Sequence, residues 1–355
     1  MTRPARVIFN PAAVRGNLER VRRCAPGRQV LAIVKADAYG HGLIRAARAL
    51  TGADAFGVAS IEEAVRLRDA GIAQPIVLLE GPFEASELAE IAVHELESVV
   101  HNHEQVEWFT RHECLTPLWI KIDTGMHRLG FTPDEAPAVV ARLAQRGWRL
   151  TLMSHFANAH LRGDASVGAQ LARFTALAAH DAHAVCLANS SAILAWPDTH
   201  GDWVRPGLAL YGVSPFDDSI GGELGLTPAM TVTSALIAVK TVPAGGGVGY
   251  GKAFVCARDT RIGIVAFGYA DGYPRHASTG TPVLVNGMRT QVLGDVSMDM
   301  MTVDLTPVPE ARIGDPVVLW GDGLPVEEVA RRARTIPYEL LCRMRMRAHF
   351  VERDA

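Results

Sequence analysis

The stretch VLAIVKADAYGHGLIRAARAL, residues 30–50, carries the first decision about the fold. Val30–Val34 is a continuous apolar run with no polar alternation. A run of that length bounded by polar and Gly residues reads as a strand buried on both faces. The LIRAARAL that follows has apolar residues at helical spacing. The same strand-then-helix texture recurs to about residue 210. Further apolar runs stand at Ala55–Val58, Ile76–Leu79, Ser98–Val100, Leu118–Ile122, Leu150–Met153, Ala184–Leu187 and Trp203–Val204. IEEAVRLRDAG and EASELAEIA follow two of them with helical periodicity. Eight such units predict an α/β protein built on a (β/α)8 barrel of the TIM type, occupying residues 11–227.

After about residue 228 the texture changes. TVTSALIAVK, RIGIVAFGY, TPVLVNG, RTQVLG and DPVVLWG are β-branched runs punctuated by Gly or Pro turns. They predict a mainly antiparallel β domain over residues 228–355, interrupted by one helix near Val326–Ala333. A chain of 355 residues is long enough for both units.

Bulk composition narrows the function. Hydrophobic residues make up 48% and charged residues 21%, ordinary for a globular enzyme. A formal charge of −3 gives no electrostatic footprint for nucleic acid. The five cysteines, Cys24, Cys114, Cys186, Cys256 and Cys342, are scattered without CxxC spacing, which fits neither a disulfide framework nor a zinc site. The N-terminus MTRPARVIFN lacks the apolar core of a signal peptide, and no apolar run reaches the roughly 18 residues of a membrane helix. These features predict a cytoplasmic protein with no metal and no membrane partner.

Barrel enzymes build their sites on the loops after the strands. Lys35 follows VLAIV at once, Lys121 lies within LWIKI, and Arg128 stands on the loop beyond it. His155 follows LTLMS, Asn189 and Ser190 follow AVCLA, and Arg205 and Gly207 follow WV. Five strands thus bring polar groups to one rim. Each has two readings. A lysine in a concave, partly dry site loses pKa and becomes nucleophilic enough for a Schiff base, but a strand-end lysine can also simply snorkel. Tyr39 can donate to a phosphate or sit in the core. NSSA is an N-cap or an anion site, and VRPG can add backbone N–H groups for a phosphate. No P-loop is present, and GGGVGYG (Gly245–Gly251) opens no helix of a βαβ unit, so a nucleotide fingerprint is excluded.

Together AIVKADAYGHG, KIDTGMHRLG, SHFA, ANSSA, VRPGLALYG, GVGYG, GYADGYPR, VSMDM and IPYEL, in this order between about residues 4 and 345, resemble the alanine racemases. The resemblance implies pyridoxal 5'-phosphate as cofactor, interconversion of L- and D-alanine by two bases, and a homodimer with shared sites. Lys35 would be the Schiff-base lysine and one acid/base; Tyr250, reaching in from the partner, would be the other. Arg205 would bond the pyridine nitrogen, with His155 supporting it. Tyr39, Ser190, Tyr338 and the backbone of Gly207 and Leu208 would hold the phosphate, beside Asn189. Arg128, Met298 and Asp299 would meet the substrate carboxylate, the last two from the partner. Tyr269 and Asp271 would line the entrance. In some members the lysine matching Lys121 is carbamylated and orients the arginine matching Arg128. The family's first strand joins the β domain, which implies the same for residues 1–10.

The alternatives are a racemase of another small amino acid such as serine, a related decarboxylase, or a non-catalytic pyridoxal-phosphate-binding protein. Decarboxylases keep an acid at the pyridine nitrogen, where this chain has Arg205. The binding proteins lack counterparts of Tyr250, Met298 and Asp299. His101 and His103 read as a solvated loop, and His41 as the start of a helix. The segment Arg347-Ala348-His349 departs from the family's Arg-Val-Pro-like stretch.

Overall fold

The computed structural model describes residues 3–112, 115–178, 183–344 and 347–353. Cys114 lies outside the described residues; among these, Cys24, Cys186, Cys256 and Cys342 form no disulfide.

Eight parallel strands close a barrel: β2 (Gln29–Ile33), β3 (Ala55–Val58), β4 (Ile76–Leu78), β5 (Glu97–Val100), β6 (Leu118–Lys121), β7 (Leu150–Met153), β8 (Ala184–Asn189) and β9 (Trp203–Arg205). Closure comes from β2 pairing with β9, Gln29 opposite Trp203 and Val30 opposite Val204. The expected (β/α)8 barrel is therefore present. The strands β3, β4, β5 and β6 are buried along their whole length, Glu97 and Ser98 of β5 and Lys121 of β6 included, and β3 and β4 accordingly read as unbroken apolar runs. The last strand carries one residue more than Trp203–Val204, so Arg205 itself is a strand residue.

The first helix, Pro11–Cys24, begins with Pro11 and is capped by Asn10, whose side chain accepts from Ala13 N at 3.1 Å. Its buried Asn17 donates to the carbonyls of Leu210 and Thr227 and accepts from Thr227 N, clamping the helix to the segment that leaves the barrel.

The second unit is an eight-stranded, mainly antiparallel sheet. Its spine is β10 (Met230–Val242), whose buried and partly exposed residues alternate over its first half. Around it pair β13 (Thr260–Val265), β16 (Met301–Asp304), β17 (Pro316–Trp320), β14 (Pro282–Val285) and β15 (Met288–Gln291). The N-terminal strand β1 (Arg6–Phe9) lies between β10 and β18 (His349–Glu352), antiparallel to the first and parallel to the second. His349, in the divergent C-terminal stretch, thus begins a sheet strand. A separate ribbon joins β11 (Gly247–Val248) to β12 (Phe254–Val255). The helices Val326–Arg332 and Pro337–Cys342 return over the barrel mouth; a Cβ on Gly40 would lie 2.1 Å from Leu341 O. No helix among the described residues is long and apolar enough to cross a membrane.

Candidate active site

The C-terminal ends of the barrel strands enclose a cavity of about 580 Å³. Lys35, Lys121, Arg128 and Arg205 line it, with Glu80 the acidic group facing them. A cavity with that charge balance favours an anionic ligand.

Arg205 is 5% exposed and spends its donors on fixed acceptors. Nη1 donates to the Cys186 sulfur at 2.9 Å, and Nη2 to Ser154 O at 2.9 Å. Nη2 also stands 3.1 Å from His155 Nδ1. A guanidinium only donates, so His155 Nδ1 accepts and the ring hydrogen sits on Nε2. Burial, and then the charges of Arg205, Arg128 and Lys121, hold His155 well below the usual imidazole range. It is neutral near pH 7. Lys121 is 8% exposed, and its pKa falls from 10.5 to about 8, chiefly through burial and then through Arg205, Arg128 and Lys35.

Ser190 opens the short helix Ser190–Ala195, and its hydroxyl accepts from Gly207 N at 2.9 Å and Ala209 N at 3.2 Å. The side chain of Asn189 caps that helix through Ala192 N at 3.0 Å, so it serves the cap although it also borders the cavity. Gly207 leaves space that a side chain would fill: a Cβ there would sit 2.6 Å from the Tyr39 hydroxyl oxygen. Tyr39 packs 5.0 Å from Tyr211 and 5.8 Å from Tyr338, ring to ring. The loop bearing Arg128 is shaped by Asp123, whose Oδ1 accepts from the backbone N–H groups of Gly125, Met126 and His127.

Lys35 is followed by a left-handed turn. Ala36, Asp37, Ala38 and Tyr39 all have φ between 52° and 55°. Each residue so placed costs about 1–2 kcal/mol against the right-handed form. The sequence offered no sign of it, since none of the four is glycine.

The remaining candidates lie elsewhere. Tyr250 is 72% exposed and Met298 53%, and neither borders the cavity of its own chain. Asp299 pairs with Arg347 and is likewise outside it. Tyr269 is partly exposed, but Asp271, expected at the entrance, is buried. Its carboxylate accepts from Gly268 N at 2.8 Å and pairs with Arg3 at 2.7 Å, and Arg347 stands 3.5 Å away. Arg347 in the divergent stretch therefore organises the Asp271 and Asp299 loops. His101 is also not a solvated residue: its ring nitrogen meets Glu80 O at 3.0 Å, and Gln105 donates to the same carbonyl. His103 is exposed and opens the helix His103–His112. His41 is buried against Tyr211, two residues before the helix Leu43–Ala49. Among the described residues, no group of three or more His, Cys, Asp or Glu could hold a metal.

Sequence reasoning missed Glu80 and Cys186. Glu80 follows the run Ile76–Leu79 much as Lys35 follows its own, so the rim rule could have found it. Cys186 gave no signal, because a cysteine inside an apolar strand looks like core.

Fold and site define a barrel enzyme with a second, β-sheet unit, whose strand ends present a cavity lined by lysine and arginine side chains. Residues 9–215 match the model for the alanine racemase N-terminal domain and residues 229–352 that for the C-terminal domain. The chain is 51% identical over 353 residues to the alanine racemase of Nitrosomonas eutropha, covering 96% of each. It is 49% identical to the biosynthetic alanine racemase of Escherichia coli, with 97% of each covered. The crystal structure of the biosynthetic alanine racemase from Pseudomonas aeruginosa superposes with a TM-score of 0.97 at 47% identity, over 99% of this chain and 100% of that one. That of the Bartonella henselae alanine racemase, with covalently bound pyridoxal phosphate, gives 0.90 at 30% identity, over 98% and 99%. The chain belongs to the alanine racemase family.

Proposed function

We propose that the protein interconverts L- and D-alanine with pyridoxal phosphate held by Lys35. The observation that carries this reading is the convergence of six barrel strands on one cavity, with Lys35 lining it and the buried Arg205 fixed in place. The donor set fits the cofactor. Cations suit a phosphate, Ser190 and Tyr39 offer hydroxyls, and the bare backbone at Gly207 lets a ligand approach. Tyr338 also borders that space, and the backbone of Leu208 lies next to Gly207. The amide of Gly207 is held by the Ser190 hydroxyl in this structure, so Ser190 and Gly207 would act on a phosphate as one unit.

When bound, the cofactor supplies an electron sink for the charge left at the substrate Cα. The chain must supply a proton acceptor on one face and a donor on the other. The Lys35 amine serves one face. Arg205, able only to donate, would meet the cofactor's ring nitrogen and keep it unprotonated. Arg128 at the cavity wall meets the substrate carboxylate. Lys121, neutral above about pH 8, can take up carbon dioxide and release a proton, leaving a carbamate beside Arg128. Dependence of activity on bicarbonate tests that step.

The second acid/base is Tyr250 of another copy of the chain. Tyr250, Met298 and Met300 are exposed hydrophobic side chains of the β domain, and none of them lines the barrel cavity of its own chain. A homodimer that places them over the neighbouring barrel would complete both sites, with Asp299 beside Met298.

The decisive experiment adds pyridoxal phosphate to purified protein, records its absorbance, and follows D-alanine after L-alanine is supplied. Uptake with D-alanine formation supports the reading. Uptake without D-alanine but with racemised serine moves the substrate to serine, and uptake with neither leaves a binding protein. Folded protein that takes up no cofactor overturns the assignment of Lys35.

A further inference from the structure

The left-handed turn Ala36–Tyr39 joins Lys35 to Tyr39, and none of its residues is glycine. A run of that kind persists only where its surroundings over-determine it. Two side chains do so from opposite ends. Glu63, on the helix Ile61–Asp69, aims its carboxylate at the start of the turn. Its Oε1 accepts from Ala36 N at 2.7 Å and from Asp37 N at 3.4 Å. Its Oε2 accepts from Ala59 N at 2.9 Å, one residue past β3, so the carboxylate ties the turn to the neighbouring barrel strand. His41 grips the other end. Its Nδ1 lies 2.9 Å from the Ala38 carbonyl and 3.0 Å from that of Tyr39. Both partners only accept, so Nδ1 carries the hydrogen. The imidazole is held in turn by stacking on Tyr211, with centroids 4.4 Å apart. The Tyr211 hydroxyl donates to Ile33 O at 2.8 Å, the last residue of β2. Neither Glu63 nor His41 borders the cavity.

We propose that Glu63 and His41 are positioning residues, a clamp on the two ends of the left-handed turn that sets Lys35 and Tyr39 against Arg205 and Ser190. Glu63 satisfies the turn's first N–H groups and His41 its last carbonyls. Without either, the turn relaxes toward right-handed or extended backbone. The Lys35 amine and the Tyr39 hydroxyl, which come from this one segment, then lose register with groups delivered by β8 and β9. The role assigned to Lys35 and Tyr39 rests on the proposed function; the clamp on the backbone does not.

Three variants separate the contributions. Glu63→Ala removes the acceptor. Glu63→Gln keeps one of the two acceptor oxygens and puts an amide donor in place of the other, so it can hold the turn or Ala59 N but not both. His41→Phe keeps a ring against Tyr211 and removes the donor. Amide hydrogen exchange over residues 35–42 of the purified protein reads the turn itself. Exchange in the alanine and phenylalanine variants should rise about tenfold or more, as expected for loss of one such hydrogen bond, while the helix Leu43–Ala49 keeps its protection. Titration of the stripped protein with pyridoxal phosphate should show an affinity loss of the same order, recovered in part in Glu63→Gln. At saturating cofactor, kcat should fall more than KM for alanine rises.

Wild-type exchange in both the alanine and phenylalanine variants overturns the proposal. So does faster exchange with unchanged cofactor affinity, because the turn then positions nothing. Wild-type protein that takes up no pyridoxal phosphate overturns the reading of the cavity, and the positioning role with it. Variants that fail beside a competent wild type concern the clamp alone.

Discussion

Arg205 is committed by its surroundings. Its guanidinium is buried among the carbonyls of Ser154, Cys186 and Leu187, the Cys186 sulfur and a neutral histidine. A carboxylate there would face acceptors and would have to protonate or move. Arg205→Glu should therefore cost about 2–3 kcal/mol of stability. It should also raise pyruvate formation relative to D-alanine formation, because an acid at the ring nitrogen strengthens the electron sink. An unchanged product ratio in folded variant would refute this second claim. Lys121 makes a prediction in pH. Its pKa is about 8 in the fold and near 10.5 when free, so the unfolded chain binds more protons between those values. Stability should rise with pH across that window, and below about pH 8 the folded state bears the whole cost of the buried ammonium. Lys121→Met should abolish the rise, worth about 3 kcal/mol at most. Urea midpoints at pH 7.5 and 10 in buffer free of carbon dioxide would measure it, and an equal rise in both proteins would assign the effect to another group.

Among the elements, the joint between β9 and the short helix Ser190–Ala195 is held by the Ser190 hydroxyl and closely packed by Tyr39. Gly207 has φ −121°, which any residue can adopt, so its identity is a matter of space and not of backbone freedom. Gly207→Ala places a methyl 2.6 Å from the Tyr39 hydroxyl oxygen and 3.2 Å from its ring carbon Cζ. Tyr39 cannot retreat, being packed on Tyr211 and followed by Gly40 against Leu341 O. The variant should fold with a loss of about 1–3 kcal/mol and bind pyridoxal phosphate at least about tenfold more weakly. Wild-type affinity would mean that Tyr39 has room to move. This level also marks where sequence reasoning succeeds and stops. The barrel strands were legible because burial on both faces writes itself as Val30–Val34 or Leu118–Ile122. The polar rim was legible because Lys35 and His155 interrupt apolar runs at the expected end. The left-handed turn was not, since Ala-Asp-Ala-Tyr carries no local preference for it and the restraint comes from Glu63 and His41. The burial of Asp271 was not either, because it depends on Arg3 and Arg347 at the two ends of the chain.

For the whole molecule, the folded chain supplies only half of the proposed two-base pair. The cavity has Lys35, while Tyr250 stands 72% exposed on the β domain and borders a different surface. Nothing in the local pattern of GVGYG could show this, because whether a side chain serves its own barrel or a neighbour's is a property of assembly. A two-fold dimer with isologous contacts would give each barrel the Tyr250 of the other copy. The arrangement can be tested without a structure of the dimer. Lys35→Ala and Tyr250→Phe should each be impaired alone, the second mainly in abstracting the proton from one enantiomer of alanine. In a hybrid of the two, the barrel that keeps Lys35 would receive an intact Tyr250 from the lysine-less partner, and the other barrel would lack both. Random reassortment of equal amounts makes half the dimers hybrids, each with one complete site, so activity should recover to about one quarter of wild type. Recovery requires subunit exchange, which unfolding and refolding the mixture together ensures. A mixture no more active than the mean of its two components, after hybrid formation has been verified by mass, would place both bases within one chain and overturn the shared site.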